Sequence, residues 1–364
     1  FYPFTKILAM ASGLPALGRT EAIHHRLYEF AKSALIRIFA NPYAIVCELY
    51  CGGTAEVIER WEGASINMYV GIDLKKSNIK EIKESWESQR KLHYTAEFIE
   101  ADPCSEEFQS KLKEKHNQAD LVYCLQNLQS CFEAEENARK LIENVSFLLK
   151  PGGYFFGITP DSSTIWAKYQ KNVESYHNRS GNMKYNILPN CIRSENYMIT
   201  FETEEEKFPL FGKKYQLKFA HESSVETHCL VHFPSFIRLA REAGLDYVEI
   251  QNLTEFYDDY RTQFSSSIPN SIQNLLDSKG RLLPRSYDVL GLYSTFIFRK
   301  PNPDIVPPVS SPFIGLNESE ESVWQVHDEH VAVNEVPLGL GKISEQKGIL
   351  GPGPENLRFP EALF

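Results

Sequence analysis

From residue 44 to residue 159, short apolar clusters alternate with longer polar stretches in which apolar residues return every three or four positions. Apolar clusters of that length bounded by charge suit buried parallel strands, and the spacing between them suits amphipathic helices. The predicted strands are 44–50, 68–73, 95–101, 120–125 and 153–159, and the predicted helices are 54–62, 76–91, 105–116 and 133–149. Lys150-Pro151-Gly152-Gly153 reads as a helix stop and a tight turn into the fifth strand. Ahead of the first strand, Leu27, Phe30, Ala34, Leu35 and Ile38 recur at helical intervals, so 22–39 reads as a helix packed on the sheet. Beyond 159 the pattern loosens into an insert over 173–212. A strand at 215–220, a helix at 234–243, a strand at 247–250 and an edge-type strand at 292–299 follow. This alternation predicts an α/β fold with a doubly wound, mostly parallel, Rossmann-like sheet.

Charge changes the picture at one end. The 364 residues carry 38 Lys and Arg against 48 Asp and Glu, a net of −10. Residues 301–364 hold ten acids, three bases and nine of the 20 prolines, so −7 of that sum lies there and −3 in residues 1–300. The last segment therefore reads as an acidic, Pro-rich disordered tail, in which Phe313 and Trp324 resemble a docking segment of unknown partner. Residues 1–20 read as a flexible leader and 21–300 as the folded domain. A near-neutral body excludes a protein that grips polyanions by bulk charge, so any nucleic-acid contact must be local. No apolar run reaches the roughly 18–20 residues of a membrane span. Seven scattered cysteines without a CxxC pair exclude a zinc ribbon and a disulfide framework.

Candidate chemistry gathers at strand ends. Glu48-Leu49-Tyr50-Cys51-Gly52-Gly53 closes the first strand with glycines that let a ligand approach the backbone. Asp73 closes the second strand about 20 residues on, the separation at which an acid meets ribose hydroxyls. Asp102 closes the third. A dinucleotide fold would carry G-x-G-x-x-G, and 51–56 does not.

Acids in the first three strands, with Lys150-Pro151-Gly152-Gly153-Tyr154 before the fifth, resemble the S-adenosyl-L-methionine-dependent class I methyltransferases. Phe30-Ala31-Lys32-Ser33-Ala34-Leu35-Ile36, Phe208-Pro209-Leu210-Phe211-Gly212-Lys213-Lys214-Tyr215 and Leu230-Val231-His232-Phe233-Pro234 narrow the resemblance to the eukaryotic mRNA cap guanine-N7 methyltransferases, in the divergent second form found in plants. The resemblance implies that Lys32 reaches the methionyl end of S-adenosyl-L-methionine. It also implies that Tyr50, Cys51 and Gly52 cradle that end beside Glu48 and Leu125, that Asp73 takes the ribose, and that Ala101 and Asp102 take the adenine. No catalytic base and no metal is implied, because guanine N7 is nucleophilic without deprotonation and needs only in-line positioning.

On the cap side the chain departs from the family. Tyr28 and Glu29 stand where it has paired asparagines, Tyr50 where it has glycine, and Leu125, Gln129 and Ser130 where it has Gln and then His-Tyr. The glutamate expected at the guanine edge falls on His228, while Tyr293 keeps its identity. Tyr28 and Glu29 could rebuild the pocket by stacking and hydrogen bonding. The resemblance implies methyl transfer to the capped 5′ end of mRNA in the nucleus. Two other readings stay open: a non-catalytic RNA- or partner-binding scaffold, and a methyltransferase with another acceptor. Lys75-Lys76, Lys213-Lys214, and Arg238 with Arg241 on one helix face are candidate guides for phosphates.

Overall fold

The computed structural model describes residues 20–304, apart from 55, 62–63, 89–92, 114–117, 179–187, 203–206, 221–223 and 265–274. The leader up to residue 19 and the tail from 305, with Phe313 and Trp324, lie outside the described residues. Helix α1 (Thr20–Phe39) precedes β1 (Ile45–Leu49), α2 (Glu56–Glu59), β2 (Met68–Asp73), α3 (Lys76–Ser88) and β3 (Thr95–Glu100). Next come α4 (Phe108–Lys113), β4 (Ala119–Cys124), a 3₁₀ turn (Leu128–Glu133), α5 (Glu135–Leu148) and β5 (Leu149–Pro160). After α6 (Ser162–His177) come β6 (Cys191–Arg193), β7 (Tyr197–Phe201), β8 (Lys214–Phe219) and β9 (Glu226–Cys229). The chain then runs through α7 (Phe233–Glu242), β10 (Asp246–Asn252), α8 (Leu253–Tyr260), α9 (Pro284–Leu290) and β11 (Tyr293–Arg299).

Seven strands make the main sheet in the order β10-β11-β5-β4-β1-β2-β3. Strands β5, β4, β1, β2 and β3 pair in parallel, whereas β11 is antiparallel to both its neighbours. The strand at 292–299, expected at an edge, is thus interior, and β10 is the edge. Its residues fit that position: Phe296, Ile297 and Phe298 are all buried, which requires cover on both faces. The 150–153 segment is also not the expected turn. Between Ala119↔Leu149 and Leu121↔Tyr154 it bulges out of register within β5, with Gly152 at φ 83°. Its backbone is satisfied by Lys300, since Gly152 N donates to Lys300 O and Lys300 N to Gly153 O, each at 2.8 Å. Gly157 has a different duty, because a Cβ there would lie 1.9 Å from the carbonyl oxygen of Cys124 on the adjacent strand.

Alternate residues feed two cores on opposite faces of the sheet. Val46, Tyr69, Leu121, Tyr123, Phe156 and Ile297 pack with α1 and α8. Cys47, Val70, Val122, Phe155, Phe296 and Phe298 pack with α4, α5 and α7. The predicted insert contributes β6 and β7 to a structured layer, a four-stranded antiparallel sheet in the order β6-β7-β8-β9, in which the strand expected at 215–220 is β8. Tyr197, Ile199, Phe201, Tyr215, Leu217 and Phe219 bury one face of it against Ile165, Trp166 and Tyr169 of α6. β6 and β9, with three and four residues, are too short to stand out by period.

Candidate active site

The strand order reverses between β1 and β4, so the crevice beyond their carboxyl ends is the place where this architecture accepts a ligand. The turn after β1 lies there. Tyr50 has φ 57° and Gly52 φ 74°, two left-handed residues in three positions. Glycine adopts that conformation freely, and tyrosine does so at a cost of roughly 1–2 kcal/mol. The Tyr50 side chain explains how the strain is held. It is buried, and its hydroxyl lies 3.0 Å from Cys131 Sγ and 3.6 Å from Cys104 Sγ, away from the crevice. The turn thus keeps the shape expected of glycine although the residue differs.

Asp73 latches this turn to α3. One carboxylate oxygen accepts from Gly52 N at 2.9 Å, and the other accepts from Lys75 N at 2.8 Å and Asn78 Nδ2 at 2.9 Å. Three bonds leave one lone pair of the carboxylate for a further donor, which suits a ribose hydroxyl. Ala101 is tied to the same place, its N–H donating to Asp73 O at 3.1 Å. Asp102 is exposed and accepts from Cys104 N at 2.8 Å, so one of its oxygens faces solvent-accessible space beside Ala101. Bare backbone at Gly52, a part-free buried acid at Asp73 and an exposed acid at Asp102 fit a nucleoside cofactor.

Glu48 is placed differently from the expectation of direct cofactor contact. It is 1 % exposed, on the core face that carries Tyr69 and Tyr123. Its Oε2 accepts from Tyr69 at 2.7 Å and Tyr123 at 2.9 Å, and Trp61 Nε1 donates to the Tyr123 hydroxyl at 2.8 Å. Burial pushes the Glu48 carboxyl up, against the opposing pull of Arg60 and the two phenols. Arg60 lies 3.5 Å from Glu48 and 3.4 Å from Glu29, and Glu29 accepts from Lys32 Nζ at 2.8 Å. Lys32, Glu29, Arg60 and Glu48 therefore alternate in charge from the crevice to the core. Arg60 was silent in the sequence, where it is one more polar residue of the predicted helix 54–62.

A cavity of about 210 Å³ adjoins the turn. Six of the predicted residues line it: Tyr28, Lys32, Leu125, Gln129, His228 and Tyr293. Two do not. Glu29 is taken up by its two cations and is absent from the wall, so it does not form the guanine-binding pair expected with Tyr28. Ser130 is exposed, its hydroxyl donating to Asn127 O at 2.7 Å to close the 3₁₀ turn. Tyr28 is 7 % exposed and meets Tyr293 edge to face, ring centroids 4.5 Å apart at 68°. Burial, then the neighbouring Tyr293 phenol, raise its hydroxyl well above the ordinary range, so it stays neutral.

The structure adds residues that the sequence did not single out. Gln126 lines the cavity and donates from Nε2 to Tyr50 O at 2.7 Å, joining the cavity to the turn. It stands one position after Leu125, where the resemblance placed the family's glutamine. Among the described residues Glu226 is the sole carboxylate in the wall, and it lies 2.9 Å from His228 Nε2, while Gln129 Nε2 lies 2.8 Å from His228 Nδ1. A two-residue spacing on β9 signals a shared face, but only for a reader who already knows the strand.

The basic pairs are mostly spent. Arg238 donates to Glu135 and Glu242, each at 2.8 Å, and Arg139 binds the same two carboxylates. Lys214 pairs with Glu133, and Lys213 is buried with Nζ 5.7 Å from the Phe201 ring centre. The expected patch of Arg238 and Arg241 is therefore a neutralised network at Arg238. Among the described residues no group of three or more His, Cys, Asp or Glu could hold a metal, and no helix is long and apolar enough to cross a membrane.

A doubly wound sheet with a nucleoside-fitted turn, and an aromatic cavity joined to it by one glutamine, defines a transferase of the methyltransferase class. The family model for the mRNA (guanine-N(7))-methyltransferase domain matches residues 22–301, and the chain belongs to that family. It is 60 % identical over 353 residues to mRNA cap guanine-N(7) methyltransferase 2 of Arabidopsis thaliana, covering 95 % of this chain and 99 % of that one. The rice protein of the same name (Oryza sativa subsp. japonica) is 57 % identical, with 92 % and 98 % covered. The rice mRNA cap guanine-N(7) methyltransferase 1 is 28 % identical over 294 residues, 76 % of this chain and 74 % of that one. The resemblance to the second plant form is thereby borne out.

Proposed function

We propose that the protein transfers a methyl group from S-adenosyl-L-methionine to N7 of the guanosine cap of mRNA, and that it does so in the nucleus. The observation that carries the reading is the junction at Gln126, which belongs at once to the nucleoside-fitted turn and to the aromatic cavity. A donor and an acceptor held on its two sides would meet there. When bound, the cofactor supplies an electrophilic methyl on a sulfonium. The residues of the chain do the rest by position. Asp73, Ala101 and Asp102 would hold the nucleoside, and Lys32 would stand at the methionyl end with its charge balanced by Glu29. Tyr28, Tyr293 and Gln129 enclose the guanine and exclude water. No side chain has to take a proton, because the N7 lone pair is already free, and alignment supplies the rate. Membership of a family of methyltransferases favours this reading over a binding scaffold or another acceptor.

The test is labelled methyl transfer to RNA carrying an unmethylated guanosine cap, run beside calorimetric cofactor binding. Transfer to capped and not to uncapped RNA is expected. Tight cofactor binding with no transfer to any capped RNA would remove the acceptor and leave the fold standing. Imaging of the tagged full chain tests the compartment, and its exclusion from nuclei would overturn that part.

A further inference from the structure

The family's guanine-edge glutamate falls on His228, and the cavity shows how the chain manages without it. Gln129 Nε2 can only donate, so His228 Nδ1 accepts that bond, and Nε2 carries the proton that it donates to Glu226 Oε2. His228 therefore has no acceptor left for guanine. Glu226 has. Among the described residues His228 is its hydrogen-bond partner, through one oxygen only, and its side chain is 53 % exposed at the cavity wall. The His228 bond keeps the Glu226 carboxyl below its ordinary range, hence ionised at neutral pH. Tyr215 pairs with His228 across β8 and β9 and is 1 % exposed, its ring centre 5.6 Å from the imidazole, so it backs the histidine from the core side of the wall.

We infer that Glu226 is the guanine-specificity residue of this enzyme: its carboxylate accepts from guanine N1–H and from the exocyclic amine, while His228 and Gln129 position it. The acid has moved two residues along β9, which preserves its face. The inference rests on the cap-methylating reading, and its test separates the two. RNAs capped with guanosine and with inosine, which lacks the exocyclic amine, are compared as acceptors, and cofactor binding is measured on every variant. The natural protein prefers guanosine. Glu226→Gln loses about 30-fold in kcat/KM on the guanosine cap and most of the preference, with cofactor binding unchanged. Adding His228→Glu to that variant restores both by returning the acid to the neighbouring position on the same face.

A Glu226→Gln protein with natural kcat/KM and preference overturns the inference, as does a loss that takes cofactor binding with it. If the natural protein methylates neither RNA, the functional reading falls and binding decides the inference. Tighter binding of the guanosine than of the inosine cap dinucleotide, abolished by Glu226→Gln, then upholds it. Equal binding, or none, overturns it.

Discussion

The turn after β1 and the cavity walled by β9 meet at Gln126, yet they are held in shape by different means. The turn is a backbone device. One carboxylate, Asp73, gathers three N–H donors from two segments, and the left-handed Tyr50 and Gly52 bend the chain around the space that remains. The cavity is a side-chain device, assembled from α1, the end of β4, the 3₁₀ turn, the end of β5, β9 and β11. A backbone device tolerates substitution so long as its dihedral angles survive, as Tyr50 shows. A side-chain device answers to substitution by moving a function to a neighbour, as we infer for Glu226 beside His228.

The sharpest way to break this comparison is to remove the latch. Asp73→Ala deletes three hydrogen bonds to a charged acceptor, each worth about 1.5–3 kcal/mol, along with the oxygen left for the ribose. Cofactor affinity should fall by at least about 100-fold, while the cavity, which Asp73 does not line, keeps its affinity for a cap dinucleotide. Calorimetry with both ligands checks this. Equal losses for the two would show that turn and cavity are one unit.

How far each half could be read from the sequence follows from the same contrast. Asp73 and Asp102 lie at fixed offsets from predictable strands, so period and spacing were enough to find them. Strand spacing could not show that Glu48 is turned into the core, because which face a strand residue takes depends on what packs there. Gln126 and Arg60 were invisible for a further reason: their partners lie 76, and 12 or 31 positions away, and only the fold brings those groups within reach, while the two-residue spacing of Glu226 and His228 means nothing until β9 is known. The second sheet was missed because β6 and β9 have three and four residues, too few for a period to register.

Next in size is the charge ladder beneath both halves. Arg60→Met leaves Glu48 buried without its cation and should destabilise the fold by about 3 kcal/mol. The loss should also depend on pH. Burial already raises the Glu48 carboxyl, and losing the opposing charge of Arg60 raises it further. For an acid whose folded value exceeds its unfolded one, the folded state binds the proton more tightly. Its contribution is fully present below the unfolded value and is lost as pH rises through the folded one. Urea unfolding should thus find Arg60→Met weakened more at pH 8 than at pH 5, relative to the natural protein. A pH-independent difference would show that Glu48 is not left carrying an unpaired charge.

A smaller effect isolates the left-handed backbone at the turn. Tyr50→Ala and Tyr50→Gly both lose the buried ring, so comparing them cancels that loss. What remains is the penalty at φ 57°, which alanine suffers and glycine does not. The glycine variant should be more stable by about 1 kcal/mol, read from the urea midpoints at constant slope. The reverse order would mean that the turn relaxes once the ring is gone, and that Cys104 and Cys131 hold it through Tyr50 alone.

The smallest effect is expected where the sequence suggested a phosphate guide. Arg238 is exposed, but its guanidinium is committed to Glu135 and Glu242, which Arg139 shares. Two cations on two carboxylates leave no net field to draw an RNA chain. Arg238→Ala should therefore leave KM for capped RNA within about twofold, as surface ion pairs contribute little. It should also leave the slope of log KM against log salt unchanged, whereas a phosphate contact would lower that slope by about one. A slope reduced in this way would move the RNA path onto α7, and recognition would then extend beyond the single nucleotide that a near-neutral body is suited to hold.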